Sequence, residues 1–253
     1  MKQRPSFPAR LDNTLAKSSP ATSKPRPVAV PVPQGLGMDS SAVRLRMVQK
    51  LGQQGVRDPL VLAAMGAIER HRFVDSALVN QAYEDTSLPI GLGQTISKPG
   101  VVSRMVELLR NSATGKLGRV LEIGTGCGYQ AAVLSMLADE VYSIERLRGL
   151  HDKARDNLRH MRLPHVHLLF GDGMQGYAKG APYAAIISAA GGEALPTAWI
   201  DQLAVGGRLV APVVNPSAQG ATQALMVVDK TPQGIKQTVL EPVHFVPLKS
   251  GIA

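Results

Sequence analysis

A glycine-rich segment in the middle of the chain has the residue types that bind a nucleotide-like ligand. It covers residues 120–128 and reads Val-Leu-Glu-Ile-Gly-Thr-Gly-Cys-Gly, an apolar run followed by three glycines at alternate positions. Glycines let the backbone turn sharply and approach a ligand closely. Glu145 follows Gly124 by 21 residues, a spacing at which a carboxylate can accept hydrogen bonds from ribose hydroxyls. The pattern predicts a cofactor loop.

The acidic residues around this loop favour one class of cofactor. Dehydrogenases share a related pattern, Gly-x-Gly-x-x-Gly, but here the third glycine comes one residue earlier and Glu122 precedes the loop. A negative residue near the loop repels a pyrophosphate but suits a cationic sulfonium. Asp172 is expected to face an adenine amino group, the alternative being that it only forms a turn. Together these acids favour S-adenosylmethionine over a dinucleotide. The predicted cofactor-binding residues here are Glu122, Gly124, Thr125, Gly126, Gly128, Glu145, Asp172 and Gly173.

Neither the cysteine nor the histidines suggest a different chemistry. Cys127 lies in the glycine segment, with no histidine near it in sequence to activate a thiol. We interpret it as a small loop residue and not as a nucleophile. The six histidines show no metal-ligand spacing supported by cysteines or paired acids, so no metal is expected.

The elements that must position these residues follow an alternating order. Short apolar runs predict strands at 119–123, 140–144, 166–170, 183–189 and 208–213, the last after a turn at Gly206 and Gly207. Helical patterns at 129–137, 148–161 and 197–203 lie between them. This alternation predicts an α/β fold with a mostly parallel sheet and helices on both faces. Residues 222–248 contain strands without helices, which predicts an antiparallel edge.

The first third of the chain is predicted to hold helices and a loop. A helix begins near Asp39 and Ser40, another follows Asp58 to about residue 69, and a third covers 101–109, while residues 73–100 are predicted as loop. Residues 1–38 contain seven of the eighteen prolines. We predict a disordered tail there, with 39–253 as the functional domain. A passive extension is favoured over an interaction arm, and a transit peptide is disfavoured by the prolines.

Composition excludes several classes of protein. The chain has 253 residues, a net charge of +9 and one cysteine, so no internal disulfide can form and a reducing, cytoplasmic setting is expected. No run of about 18 apolar residues is present, so a membrane span is not expected. The positive charge is not accompanied by basic runs with interleaved aromatic residues, so no nucleic-acid partner is expected.

A second motif upstream of the glycine segment carries a family resemblance. The sequence Gln-Thr-Ile-Ser occupies residues 94–97, after Leu-Pro-Ile-Gly at 88–91. With these motifs the chain resembles protein-L-isoaspartate (D-aspartate) O-methyltransferases over about residues 40–250. The other matching segments are 121–131, 171–173, 206–213 and 245–248. The first motif is specific to the family, whereas the glycine segment occurs in many methyltransferases.

The resemblance implies a fold, a reaction and several further site residues. The fold is that of class I S-adenosylmethionine-dependent methyltransferases, which is Rossmann-like. The reaction transfers a methyl group to the free α-carboxylate of L-isoaspartyl residues in damaged proteins and peptides, and the ester then collapses to a succinimide. Ser97 matches the active-site serine. Further cofactor-binding residues are Gln94, Thr95, Ile96 and Gln223, and the substrate-binding residues are Ser97, His244, Val246, Pro247 and Leu248.

Two departures from the family and several alternatives accompany this interpretation. Cys127 stands where serine is frequent, a near-isosteric change, and His244 stands where arginine is frequent, which makes weaker or more pH-dependent substrate binding an expectation. Ser97 could instead be only the N-cap of the following helix. The chain could methylate RNA or a small metabolite, or bind a partner without catalysis. The Gln94–Ser97 motif argues against methylation of RNA or a small metabolite. The presence of the glycine segment together with its acidic residues argues against a protein that only binds a partner.

The expected reaction needs no general base, and the sequence motifs contain none. A carboxylate with a pKa of roughly 3.3–3.7 is already ionised at neutral pH, so methyl transfer to it needs no general base. The absence of a His–Asp or Cys–His pair from the motifs is therefore consistent with the reaction.

The protein is expected to be a monomer.

Overall fold

Helices and a small hairpin precede the main sheet. The computed structural model describes residues 41–214 and 222–253. The first elements are α1 (Ser41–Gln53), α2 (Pro59–Ala67), β1 (Leu88–Gly91), β2 (Gln94–Ile96) and α3 (Pro99–Arg110). Helix α2 starts as predicted, because Asp58 accepts hydrogen bonds from two backbone N–H groups of its first turn and Pro59 follows. The start predicted at Asp39 and Ser40 lies outside the described residues.

The loop predicted over residues 73–100 is wrong in part. Ser76–Gln81 forms a 3-10 helix, and β1 and β2 pair antiparallel with Leu88 opposite Ile96. Gly91 and Gly93 lie at the hairpin turn and have positive φ, a backbone conformation that glycine adopts readily. Pro89 is tolerated because the hairpin has only two strands, so each has a free edge.

The main sheet confirms the predicted α/β architecture. Its strands and helices are β3 (Leu117–Ile123), α4 (Tyr129–Ser135), β4 (Ala138–Glu145), α5 (Arg148–Leu158), β5 (Val166–Phe170), β6 (Tyr183–Ser188), α6 (Thr197–Gln202), β7 (Leu203–Val214), β8 (Gln223–Thr231) and β9 (Gly234–Val243). The strand order is β5-β4-β3-β6-β7-β8-β9. Strands β3 to β7 pair parallel with their neighbours, and β8 and β9 add antiparallel.

Alternating side chains of the strands supply two hydrophobic cores, one on each face. Val120 belongs to the core that includes residues of α1 to α5, whereas Leu121 and Ile123 belong to the core that contains Trp199 of α6. Successive strand residues point to opposite faces, so helices cover both sides of the sheet as expected. None of the helices within 41–214 and 222–253 has the length and apolarity that crossing a membrane requires.

The turn predicted at Gly206 and Gly207 is wrong. Both glycines lie inside β7, whose pairing with β6 shifts register between Leu203 and Arg208. Gly206 has a φ of +85°, which a glycine tolerates without strain. The glycines therefore form an irregularity within one long strand and do not start a new one.

Candidate active site

A cavity of about 450 Å³ lies at the carboxyl ends of β3, β4 and β6. Cofactors in open parallel sheets bind at this edge, and the volume lies within the roughly 300–1,000 Å³ usual for small-molecule sites. We call it the cofactor cavity. The predicted site residues that line it are Gln94, Thr95, Gly124, Gly126, Glu145, Gly173, Val246, Pro247 and Leu248.

Glu145 joins two backbone segments at this cavity. Its carboxylate accepts hydrogen bonds from the N–H groups of Gly126 and Leu147, each at 2.9 Å. The side chain is only 5% exposed yet lines the cavity. An ionised carboxylate has about four acceptor positions, so two remain for hydroxyl groups of a ligand. The contact also holds the glycine loop against the end of β4.

The glycines of the loop have two different tasks. Gly124 and Gly126 have φ of +88° and +57°, and both line the cofactor cavity. Gly128 does not line it. With a φ of +90° it precedes α4, and a Cβ there would lie 3.1 Å from the Leu158 side chain. The third glycine therefore lets the loop pack against α5.

The structure corrects the electrostatic argument made from Glu122. This residue does not line the cofactor cavity but is fully buried in the sheet, where its carboxyl accepts a hydrogen bond from Ser143. The Thr125 hydroxyl lies 2.6 Å from the same Ser143 hydroxyl. This hydrogen bond fixes the glycine loop to β4. Burial raises the pKa of Glu122 to about 8, although the hydrogen bond from Ser143 acts to lower it. At neutral pH the neutral acid dominates and repels no ligand.

Asp172 is engaged by protein backbone. One carboxylate oxygen accepts the Met174 N–H at 2.9 Å, as in a turn, and the other accepts the Gly251 N–H at 2.8 Å. Asp172 does not line the cofactor cavity, whereas the neighbouring Gly173 does. The turn alternative is thus realised in the structure, and an adenine contact by Asp172 stays a prediction.

A second cavity of about 410 Å³ adjoins the first, because Thr95, Ala189 and Val246 line both. Ser87, Ser97 and His244 line this second cavity and do not line the first. We call it the acceptor cavity. Ser97 nonetheless lies close to the glycine loop, because a small pocket of about 40 Å³ is lined by Ser97 together with Gly124, Thr125 and Gly126.

The alternative role of Ser97 as a helix cap is not realised. Helix α3 begins at Pro99, and its N-cap position is Lys98, without a side-chain cap. The Gly100 N–H instead donates to Asp85 at 2.7 Å, from the segment before β1. Ile96 is 4% exposed and belongs to the hydrophobic core, which places its side chain away from the cofactor cavity.

The comparisons with known proteins agree with this arrangement. A family model described as protein-L-isoaspartate (D-aspartate) O-methyltransferase matches residues 42–253. The chain belongs to this family. A protein-L-isoaspartate O-methyltransferase of Leptothrix cholodnii is 59% identical over 96% of the chain and 84% of that protein. One of Methylibium petroleiphilum is 53% identical over 98% and 96%.

Solved structures support the same fold for this methyltransferase family member. A protein-L-isoaspartate O-methyltransferase structure is 27% identical, with a TM-score of 0.73 over 83% of this chain and 67% of the other. A Plasmodium falciparum protein of the same description, in complex with S-adenosyl-L-homocysteine, is 23% identical with a TM-score of 0.70. It covers 81% of this chain and 98% of its own, and at that identity it supports the fold alone.

In this methyltransferase, Gln223 supports the C-terminal segment and does not reach the cofactor cavity. Its side-chain amide accepts the Phe245 N–H at 2.7 Å and donates to the Phe245 carbonyl at 3.2 Å. Gly191 bonds to the next residues, donating to Val246 at 2.9 Å and accepting from Leu248 at 2.8 Å. Pro247 and Leu248, predicted to bind substrate, therefore line the cofactor cavity, and Val246 lies between both cavities.

Several wall residues of the cofactor cavity were missed by the sequence analysis. Arg146 and Leu147 directly follow Glu145, and Ala189 and Ala190 follow β6. Their position at strand ends was the available signal, since such ends meet at one edge of a parallel sheet. Further wall residues are Ile90, Leu92, Ile123, Ile144, Leu150 and Lys249.

Cys127 is buried at 2% exposure, and burial raises the pKa of its thiol to about 11. The thiol form dominates at neutral pH, so the side chain is a poor nucleophile. Within the described residues, no group of three or more His, Cys, Asp or Glu side chains could hold a metal ion.

Proposed function

We propose that this protein transfers a methyl group from S-adenosylmethionine to the free α-carboxylate of L-isoaspartyl residues in damaged proteins. The family relationship supports this reaction. The observation that carries the proposal is the pair of adjoining cavities, joined at Thr95, Ala189 and Val246. One cavity suits a nucleoside cofactor, and the other opens beside it onto Ser97.

The residues of the cofactor cavity fit the proposed methyl donor. The buried Glu145 has acceptor positions for ribose hydroxyls, and Gly124 and Gly126 admit a ligand close to the backbone. Apolar side chains such as Leu147 and Leu150 supply a wall for a flat base. When bound, S-adenosylmethionine supplies an electrophilic methyl group on a positively charged sulfur.

The protein's task at the acceptor cavity is alignment. The acceptor carboxylate is already a nucleophile at neutral pH, so no side chain needs to remove a proton. Holding the reacting groups in line can contribute about 7–11 kcal/mol. We assign Ser97 to bind the acceptor carboxylate through its hydroxyl, and His244 and Val246 to the wall against which the substrate rests.

The product explains how methylation leads to repair. The carbonyl of a methyl ester is more electrophilic than that of a carboxylate, and its methoxy group is a better leaving group than an oxide. The neighbouring backbone nitrogen therefore attacks this carbonyl, and its proton leaves with the methoxy group as methanol. The resulting succinimide hydrolyses partly to normal aspartate. The protein itself catalyses only the formation of the methyl ester.

The decisive experiment compares two peptides that differ only in one linkage. The protein is incubated with tritiated S-adenosylmethionine and either an isoaspartyl peptide or its normal aspartyl twin. Base-labile label on the isoaspartyl peptide alone is expected. Equal labelling of both, or none despite measured cofactor binding, would contradict the proposal, and labelling of RNA in its place would favour the alternative methyltransferase.

We further propose that the protein acts as a monomer in the cytoplasm, without a nucleic-acid or membrane partner. The single cysteine supports a reducing compartment. Cell fractionation and the solution mass by light scattering test these points, and a stable dimer or a membrane-bound fraction would contradict them.

A further inference from the structure

Lys98 lines the acceptor cavity, and the proposed function gives it no role. It directly follows Ser97 and precedes Pro99, the first residue of α3. It lies outside the Gln94–Ser97 motif and outside the other segments that match the family. Its side chain is 46% exposed, so it is free to change conformation at little cost.

Lys98 lies at the boundary between two cavities. It lines the acceptor cavity and also a third cavity of about 540 Å³, with Val101, Pro242 and Val243 lining both as well. A polypeptide whose isoaspartyl group enters the acceptor cavity can continue along the third one. The ammonium group therefore lies where such a polypeptide would pass from the acceptor cavity into the third cavity.

The ionisable side chains that line the acceptor cavity are all basic. Among the described residues, no Asp or Glu lines it, and the ionisable lining residues are Lys98 and His244. An imidazole is cationic only when protonated, whereas the lysine ammonium is a compact positive charge at neutral pH. Among the lining side chains, Lys98 thus offers the main positive charge to an anionic acceptor.

Asp85 forms an ion pair with Lys98, but the distance between the two groups is long. The Lys98 Nζ lies 3.9 Å from one oxygen of Asp85, while the other oxygen accepts the Gly100 N–H at 2.7 Å. Methyl transfer removes the negative charge of the acceptor. A cation in tight contact would stabilise the ground state more than the transition state and slow the reaction.

We propose that Lys98 is a substrate-binding residue that attracts the isoaspartyl carboxylate into the acceptor cavity, and that Asp85 limits how tightly the ammonium group holds it. This inference rests on the proposed function. It identifies the ligand by its chemistry, an anionic carboxylate on an extended polypeptide. It also assigns a positively charged side chain to a site in which His244 stands where arginine is frequent in the family.

The test compares Lys98→Gln with Lys98→Arg and with a matched control, Lys179→Gln. Lys179 is exposed beyond the opposite end of the sheet, before β6, so the control loses the same charge far from the site. The substrate is an isoaspartyl peptide with an amidated C-terminus and no other acid. Initial rates are measured at low and high salt, and S-adenosyl-L-homocysteine affinity by calorimetry.

Lys98→Gln is expected to raise KM about fivefold at low salt, the size of a partly exposed ion contact, with kcat within about twofold of the parent. The KM difference should shrink at high salt, Lys98→Arg should restore KM, and cofactor affinity should stay unchanged. A KM equal to that of Lys179→Gln, or a loss confined to kcat, would overturn the role. No methylation by the unaltered protein would instead overturn the proposed function itself.

Asp85→Asn tests the restraint separately. Asparagine keeps an oxygen that can accept the Gly100 N–H, so helix α3 retains its contact while the negative charge is lost. The freed ammonium should lower KM and also lower kcat, because it binds the acceptor more tightly before transfer. Unchanged values of both constants would contradict the restraint.

Discussion

At the scale of single residues, the site depends on polar groups that differ in burial. Ser97 lies on a cavity wall, whereas Glu122 lies inside the sheet below the glycine loop. A hydroxyl on a wall can meet a ligand, while a buried carboxyl acts through its neighbours and its protonation. These two residues should respond differently to substitution.

Ser97→Ala is expected to lower kcat about 10- to 100-fold, because the acceptor carboxylate loses the contact that aligns it with the methyl group, and a hydrogen bond to a charged group is worth about 1.5–3 kcal/mol. Binding of S-adenosyl-L-homocysteine, measured by calorimetry, should change little, since Ser97 does not line the cofactor cavity. Ser97→Thr, which keeps a hydroxyl, is the control. An unchanged kcat in Ser97→Ala would remove Ser97 from the reaction.

Glu122→Gln should alter how stability depends on pH. The folded-state pKa of about 8 lies above the ordinary 4.5, so Glu122 favours folding below about pH 4.5, and this contribution is lost as pH rises to about 8. The change amounts to a few kcal/mol at most, on the order of 1.4 per pKa unit. Thermal unfolding from pH 5 to 8.5 should show a steeper decline for the parent than for the variant. Parallel curves would contradict the raised pKa.

At the scale of elements, the last residues of the chain form part of the cofactor region. Ala253 exchanges backbone hydrogen bonds with Arg146 and Arg148, each at 2.8 Å, and the Arg146 side chain donates to the Gly251 carbonyl at 2.9 Å. Gly251 also binds Asp172. The segment therefore braces the backbone that follows Glu145, next to the cavity wall at Arg146 and Leu147.

Removing residues 250–253 should weaken S-adenosyl-L-homocysteine binding about tenfold, which corresponds to about 1.4 kcal/mol, because Arg146 and Asp172 lose their partners. Calorimetry well below the melting temperature separates this effect from unfolding. Ile252→Ala, which keeps every backbone bond of the segment, is the matched control. Equal affinities of the truncated and parent proteins would show that the segment does not shape the site.

At the scale of the whole molecule, the family match covers residues 42–253, and both cavities are lined by residues within that range. We therefore expect deletion of residues 1–38 to leave kcat and KM for an isoaspartyl peptide within about twofold, below 0.6 kcal/mol. Steady-state kinetics of the two proteins check this. A large loss of activity would show that the N-terminal residues contribute to the site.

The sequence alone determined the sheet and its main loop, since both depend on local pattern. Apolar runs alternating with helical spacing implied parallel strands, and the glycine triplet after β3 implied the cofactor edge. The Gln94–Ser97 motif implied the family. The pattern failed at Gly206 and at the hairpin, where glycines mark a strand irregularity and a turn between paired strands.

The tertiary structure alone decided which residues meet. Spacing places Glu122 beside the glycine loop, but strand alternation and packing bury it. Gln223 and Phe245 are joined by hydrogen bonds only because β9 returns beside β8. The position of Ser97, close to the glycine loop but on the wall of the acceptor cavity and not of the cofactor cavity, likewise depends on contacts between distant segments. Side-chain direction and long-range contact are not encoded in local spacing, so these features required the fold.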